Sequence, residues 1–368
     1  TEKINELNRI ADYDDLGREF YKKLTDTSNI RLIDFEHPEN NTWHCTIELE
    51  CENQTTYNHF RPDITCFVNG LPLVHIEVKK PQNREGMLAE RERMNDRMQQ
   101  RDFRRFLNIT QLMIFSNNEE YDTDCRVPVQ GAFYASISKG KIFFNVFREA
   151  NQRYYETLQL IETDPKREQE ILTSLGKSVL VSLPEYQSNK SATTPTNRLL
   201  SSLLAKERLL YFLNYGFAYV NTTKKDKDGN EYSCLEKHVM RYPQFFANRA
   251  ICANLDKGIN SGTIWHTQGS GKTALSYFAV KILTDYFARR NTVARFYFIV
   301  DRIALMEQAM REFTARGLKV FTAQSRKELM KDFEQNVTMR GTDGQPEIMV
   351  VNIQKFDEQK EKLEVKYN

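Results

Sequence analysis

Asp63, Glu77 and Lys79 are the residues of this sequence best suited to cutting a phosphodiester. Arg61-Pro62-Asp63 is followed after 14 positions (77 − 63) by Glu77-Val78-Lys79. Two carboxylates can hold Mg2+ against a scissile phosphate, and a lysine beside them can orient the attacking water or stabilise the developing negative charge. Val78, between Glu77 and Lys79, is a further candidate metal contact. A second constellation handles phosphate without breaking the backbone. His266-Thr267-Gln268-Gly269-Ser270-Gly271-Lys272-Thr273 fits a phosphate-binding loop, with His266 where a small residue is commoner. Its glycines let backbone N–H groups converge on phosphate oxygens, Lys272 reaches the β and γ phosphates, and the Thr273 hydroxyl can ligate Mg2+. Gln244, 28 residues upstream of Lys272 (272 − 244), carries a carboxamide that can donate to and accept from an adenine edge together, which favours ATP over GTP.

These side chains need elements to aim them. In a strand of period two, Glu77 and Lys79 project from one face, while Val74, Ile76 and Val78 project from the other into the core. Asn69-Gly70 marks a hairpin turn between the two halves of the motif. A strict two-residue loop would pair Val68 with Leu71, so that partner numbers sum to 139 and Asp63 falls opposite the wrong face. Metal binding requires an even sum, hence an odd-length loop ending in a left-handed Gly70, or an equivalent irregularity near Pro72. A charged helix over about 86–106 carries Arg93, Arg97, Arg101 and Arg105 every four residues, a stripe able to track DNA phosphates. The plain alternative is a solvated face balanced by Glu85, Glu90, Glu92, Asp96 and Asp102.

Around the phosphate-binding loop, Thr263–His266 reads as a strand. The helix from Lys272 shows an apolar stripe of Leu275, Phe278, Ala279, Ile282, Leu283 and Tyr286. Strands over 295–300 and 348–352 follow, and Arg302 and Lys355 just beyond them are candidate DNA-backbone contacts, since ligands sit at the carboxyl ends of parallel strands. Asn221–Tyr232 reads as a polar loop.

At 368 residues the chain predicts two or three domains. We expect a mixed α/β domain over 1–155, a helical connector and Ser/Thr/Asn-rich linker over 156–197, and a β/α domain with a parallel sheet over 198–368. An apolar fraction of 40% with 23 Phe and 17 Tyr excludes a disordered chain. No apolar run is long enough to span a bilayer and no secretion signal opens the sequence, so a cytoplasmic protein without membrane contact is expected. The six cysteines show no CxxC spacing, which argues for free thiols, and His37, His44, Cys45, Cys51 and His59 match no compact zinc template. With 52 basic against 50 acidic residues, nucleic-acid binding must come from a local patch. No apolar strand ending in an acid pair follows Phe356; Asp357-Glu358 lacks the hydrophobic run. The ATPase domain is therefore expected to be cut before that strand, binding ATP but hydrolysing it poorly.

The spacing of Asp63, Glu77 and Lys79 is the PD-(D/E)xK nuclease pattern. Arg241-Tyr-Pro-Gln244 resembles the glutamine motif of superfamily 2 helicases and translocases. The order of motifs, with Phe67-Val-Asn-Gly-Leu-Pro-Leu73 and Trp265-His-Thr-Gln-Gly-Ser-Gly-Lys-Thr273 as its most specific phrases, closely resembles the R (restriction) subunit of type I restriction-modification enzymes. That resemblance implies a PD-(D/E)xK nuclease domain followed by a first RecA-like motor domain. It implies a subunit that joins methyltransferase (M) and specificity (S) subunits, pumps duplex DNA using ATP, and cuts at a distance. Carried over by position, Asp63, Glu77 and Lys79 become the nuclease residues, Gln244 the adenine reader, and Lys272 and Thr273 the phosphate and Mg2+ contacts. Many such nucleases carry Gln-xxx-Tyr on the next helix; Gln99-xxx-Phe103 is the nearest equivalent here. Two other readings stay open: a stand-alone repair-type helicase-nuclease, and a nucleotide-gated DNA-binding assembly module with an inert nuclease site.

Overall fold

The computed structural model describes residues 2–26, 31–51, 60–83, 85–121, 123–124, 130–151, 153–157, 164–225, 228–323, 325–334 and 346–353. The chain forms two compact units, Thr1–Asn214 and Tyr215–Asn368.

The first unit opens with α1 (Glu2–Ile10) and α2 (Arg18–Leu24), separated at Leu16 and Gly17, both in the left-handed region. Strands β1 (Trp43–Ile47), β2 (Ile64–Val68) and β3 (Leu71–Val78) precede α3 (Gly86–Met98) and α4 (Arg104–Ile109). Then come β4 (Leu112–Ser116), β5 (Ala132–Ser138) and β6 (Lys141–Asn145). The sheet runs β1-β2-β3-β4-β5, with β6 also on β5. Among the described residues of this unit β3 and β4 pair in parallel and the other strand pairs are antiparallel. A parallel pair needs a long crossover, and α3 with α4 supplies it.

This crossover explains a departure from the expected alternation. With helices over its face and neighbours on both edges, β3 buries Leu73, Val74, His75, Ile76 and Glu77 in succession, while Val78, expected inside, is 40% exposed. His75 enters an aromatic shell of Phe60, Phe106 and Phe115.

The β2–β3 turn carries the register. Asn69 (φ 50°) and Gly70 (φ 79°) both take the left-handed conformation of a two-residue type I′ turn, so the odd-length loop does not occur. Val68 pairs with Leu71 and Phe67 with Pro72, but Cys66 pairs with Val74, Thr65 with His75 and Ile64 with Ile76. The pair sums step from 139 to 140 because Leu73 is an extra residue on β3. A bulge beside Pro72 is where a residue without an N–H is tolerated in a sheet. Carried one pair further, the register sets Asp63 opposite Glu77.

Short helices α5 (Tyr154–Thr157), α6 (Pro165–Ser174), α7 (Pro184–Asn189), α8 (Pro195–Leu204) and α9 (Lys206–Tyr215) follow. The stretch expected as a linker is tied into the unit: Thr196 Oγ1 meets Ser116 Oγ at 2.8 Å, and Asn197 Nδ2 donates to the Asn189 and Ser191 carbonyls. The first unit accordingly extends past 197, to Asn214.

The second unit begins with a hairpin of β7 (Phe217–Lys225) and β8 (Glu231–Val239), so ladder pairing occupies most of the expected polar loop. Next come α10 (Tyr242–Asp256), α11 (Lys272–Ala288), β9 (Tyr297–Val300), α12 (Ile303–Ala315), β10 (Lys319–Thr322), α13 (Arg326–Glu334) and β11 (Glu347–Asn352). A parallel sheet of order β10-β11-β9 has β11 fully buried beyond its first residue at its centre. Thr263–His266 is not a strand: among the described residues it has no ladder partner, and Trp265 is 91% exposed. No helix among the described residues is long and apolar enough to cross a membrane.

Candidate active site

Asp63, Glu77 and Lys79 converge at one end of the β2–β3 pair. Asp63 Oδ2 accepts the Val78 N–H at 2.8 Å, a bond across the strands that fixes its carboxylate beside Glu77. Lys79 Nζ donates to Glu77 Oε1 at 2.5 Å and lies 4.0 Å from Asp63 Oδ2. Glu77 Oε2 is buried and has no hydrogen-bond partner; His75 Nε2 is 3.7 Å away. His75 cannot serve it as a cation. Burial, reinforced by the charges of Arg97 and Lys79, holds its imidazole down to about 3.

Burial pushes Glu77 up to about 7 against the lowering effect of its Lys79 bond, and the Glu90 and Asp63 carboxylates add to the rise. Burial opposes the charge of Lys79, yet its bonds to Glu77 and Glu90 raise it overall. A buried carboxylate oxygen without a donor, in a group that feels the charge of a neighbouring carboxylate, suits a hard divalent cation. Among the described residues no three Asp, Glu, His or Cys side chains gather to hold an ion unaided. Two carboxylates suffice for Mg2+, which characteristically keeps waters and substrate phosphate in its remaining positions.

Glu90 is the site residue that sequence reasoning missed, having been counted with the solvated face. It is 1% exposed, and its Oε2 lies 3.2 Å from Lys79 Nζ and 2.7 Å from Arg93 Nη2, while Arg97 Nη1 lies 3.3 Å from Oε1. A signal existed: Met87, Glu90, Met94 and Arg97 recur at helical spacing, and both methionines are wholly buried, so Glu90 belongs to the inward stripe.

The expected arginine stripe is broken. Gln99 caps α3, a 3-10 turn follows, and the chain redirects before α4. Arg93 and Arg97 face the site. Arg101 is exposed, and Arg105 turns to Asn8 and Asp12. Gln99 is exposed while Phe103 is buried under the Arg97 guanidinium, so neither residue stands in for a Gln-xxx-Tyr contact.

In the second unit, Gly269 (φ 77°) and Gly271 (φ 85°) shape the loop that starts α11. Open space surrounds Gly269, and Ser270 Oγ is buried without a partner, features that suit a phosphate cradle. Lys272 Nζ folds over the loop to the His266 and Thr267 carbonyls at 2.8 and 3.3 Å. Gln244 is 3% exposed with both amide atoms engaged: Oε1 accepts from the Arg241 N–H at 2.8 Å, and Nε2 donates to the Gly271 carbonyl at 3.2 Å. It bolts α10 to the loop, a contact that leaves no room for a Cβ on Gly271. Arg302 is exposed beside Asp301, and Lys355 lies outside the described residues.

Comparison with known proteins accords with this pairing of units. Residues 1–123 match the family described as type I restriction enzyme R protein N terminus, and residues 243–368 match the SWI2/SNF2 ATPase family. A nuclease-subunit segment thus precedes an ATPase-like segment. Along most of its length the chain is similar to endonuclease subunits of type I restriction enzymes, and its first third matches their R-protein N-terminal family. It is 26% identical over 319 residues to the putative type I restriction enzyme MjaVIIP endonuclease subunit of Methanocaldococcus jannaschii, covering 84% of this chain and 24% of that protein. Against the type I restriction enzyme HindI endonuclease subunit of Haemophilus influenzae it is 26% identical over 316 residues, covering 80% and 25%. A Staphylococcus aureus subunit, SauCOLORF180P, is 36% identical over 74 residues, covering 20% of this chain and 8% of that protein. The chain spans about a quarter of the length of the first two relatives.

Proposed function

We propose that the first unit is a PD-(D/E)xK endonuclease centre that cuts duplex DNA with Mg2+. The second is proposed as the start of a RecA-like, ATP-binding motor domain. The observation that carries this reading is the convergence of Asp63 and Glu77 on Lys79, with the second oxygen of Glu77 buried and without a hydrogen-bond partner.

Asp63 and Glu77 would hold the cation. When bound, Mg2+ supplies Lewis-acid polarisation and charge neutralisation at a phosphodiester. Lys79 faces the same space and meets the negative charge that develops as the phosphorus is attacked. Val78 contributes its N–H to the aim of Asp63. In the ATPase unit, Thr267–Thr273 would cradle the nucleotide, Lys272 exchanging its loop carbonyls for phosphate oxygens and Thr273 reaching the second Mg2+. Gln244 would read adenine only by releasing Gly271 or Arg241. In the intact subunit, cutting is coupled to ATP-driven DNA pumping within a complex of M and S subunits, in the cytoplasm, where cysteines such as Cys45 and Cys66 would stay reduced.

Plasmid nicking tests the reading. Wild-type protein with Mg2+ nicks supercoiled DNA, and Lys79→Ala abolishes it. Absence of nicking by the wild type sinks the proposal in favour of an inert assembly module.

A further inference from the structure

We propose that Glu90 is a positioning residue of this centre: its buried carboxylate keeps the Lys79 ammonium in the site when Asp63 and Glu77 are given over to a divalent cation. The inference rests on the nuclease reading above. Lys79 Nζ has three carboxylate neighbours, Glu77 at 2.5 Å, Glu90 at 3.2 Å and Asp63 at 4.0 Å. Two of them are the metal holders. A cation drawn to Glu77 and Asp63 neutralises the carboxylates that attract Lys79 and repels its charge. A long, flexible, strongly hydrated lysine deprived of its acceptors swings out to water.

Glu90 prevents that because it comes from a different element and is itself immobilised. It stands on α3 and is 1% exposed; its Oε1 accepts from Arg97, and its Oε2 lies within ion-pair distance of Lys79 and Arg93 without the alignment of a hydrogen bond. Arg97 is in turn pinned, its guanidinium 4.2 Å from the Phe60 ring centroid and 5.7 Å from that of Phe103. A carboxylate held on two sides by arginines does not follow the metal. It stays as a counter-charge for Lys79.

The test compares wild type and Glu90→Gln in the full chain, a substitution that preserves shape and removes the charge. Nicking turnover at saturating Mg2+ falls about ten- to hundredfold. Duplex affinity, read by fluorescence anisotropy in Ca2+, is not weakened, because a negative charge has been removed; a misfolded variant would lose binding as well. Wild-type crystals soaked in Ca2+ show Lys79 Nζ within hydrogen-bond reach of Glu90 Oε2, and the variant shows it turned away. Wild-type turnover in Glu90→Gln overturns the inference. So does a wild-type Ca2+ complex in which Lys79 has left Glu90, a result that stands even if the variant fails to fold. Ca2+ bound with Lys79 displaced defeats the tether alone, whereas failure of Asp63 and Glu77 to take Ca2+ defeats the nuclease reading and the tether with it.

Discussion

Glu77 carries a cost that pH makes measurable. Its folded pKa of about 7 lies above the ordinary value of 4.5, so the protonated carboxyl is favoured by the fold. Its contribution to stability is therefore fully present below pH 4.5 and is lost as pH rises through about 7. In EDTA, raising the pH from 5 to 8 should destabilise the first unit by on the order of 1–3 kcal/mol, and Glu77→Gln should flatten that dependence. Thermal melts across pH check it; equal slopes for the two proteins would refute it. His75 acts in the opposite sense. Its depressed pKa keeps the ring neutral, giving stability that is present above pH 6.5 and lost as pH falls toward 3. At this scale the sequence pointed to Asp63, Glu77 and Lys79 as candidates through their spacing together with the Asn69-Gly70 turn between them and the resemblance of the surrounding motifs. Glu90 escaped because a glutamate among four nearby acids and several arginines looks like a surface residue until the burial of Met87 and Met94 shows which way that face of α3 points.

At the scale of elements, the site depends on one turn and one bulge. Asn69 and Gly70 are both left-handed, and the Asn69 side chain is held by the Thr42 N–H, the Leu32 carbonyl and Asn41. Gly70→Val should cost about 1–2 kcal/mol through backbone strain alone, since nothing lies within 4 Å of its would-be Cβ. Urea denaturation checks it, and an unchanged midpoint would show that the turn relaxes freely. The hairpin was legible because Asn-Gly is a local signal; parity of register required an irregularity but not its place, and it lies beside Pro72, not in an odd-length loop. The break of the charged helix at Gln99 was not legible. No Gly or Pro marks it; the redirection follows from Phe103 and Leu107 seeking the core, a tertiary demand that local periodicity does not record. Thr263–His266 failed for the complementary reason, since a strand is defined by its neighbours.

For the molecule as a whole, each unit makes its own prediction. Lys272→Ala should weaken ATP binding at least about tenfold by fluorescent-nucleotide titration, as expected for loss of a charged phosphate contact. Unchanged affinity would remove the loop from the nucleotide site. Cutting by the isolated chain should need Mg2+ but no ATP, because Asp63, Glu77, Lys79 and Glu90 all belong to Thr1–Asn214. Strict ATP dependence of nicking would show that the second unit completes the centre.

The exposure of Trp265 has a practical consequence. The chain has only two tryptophans, and they fall one to each unit: Trp43, whose indole N–H donates to the Pro38 carbonyl, and Trp265, one residue before His266. Nature has thus placed a single intrinsic fluorophore, fully hydrated, on the approach to the phosphate-binding loop. With Trp43 replaced by Phe, emission from Trp265 would report nucleotide arrival in real time and without a dye.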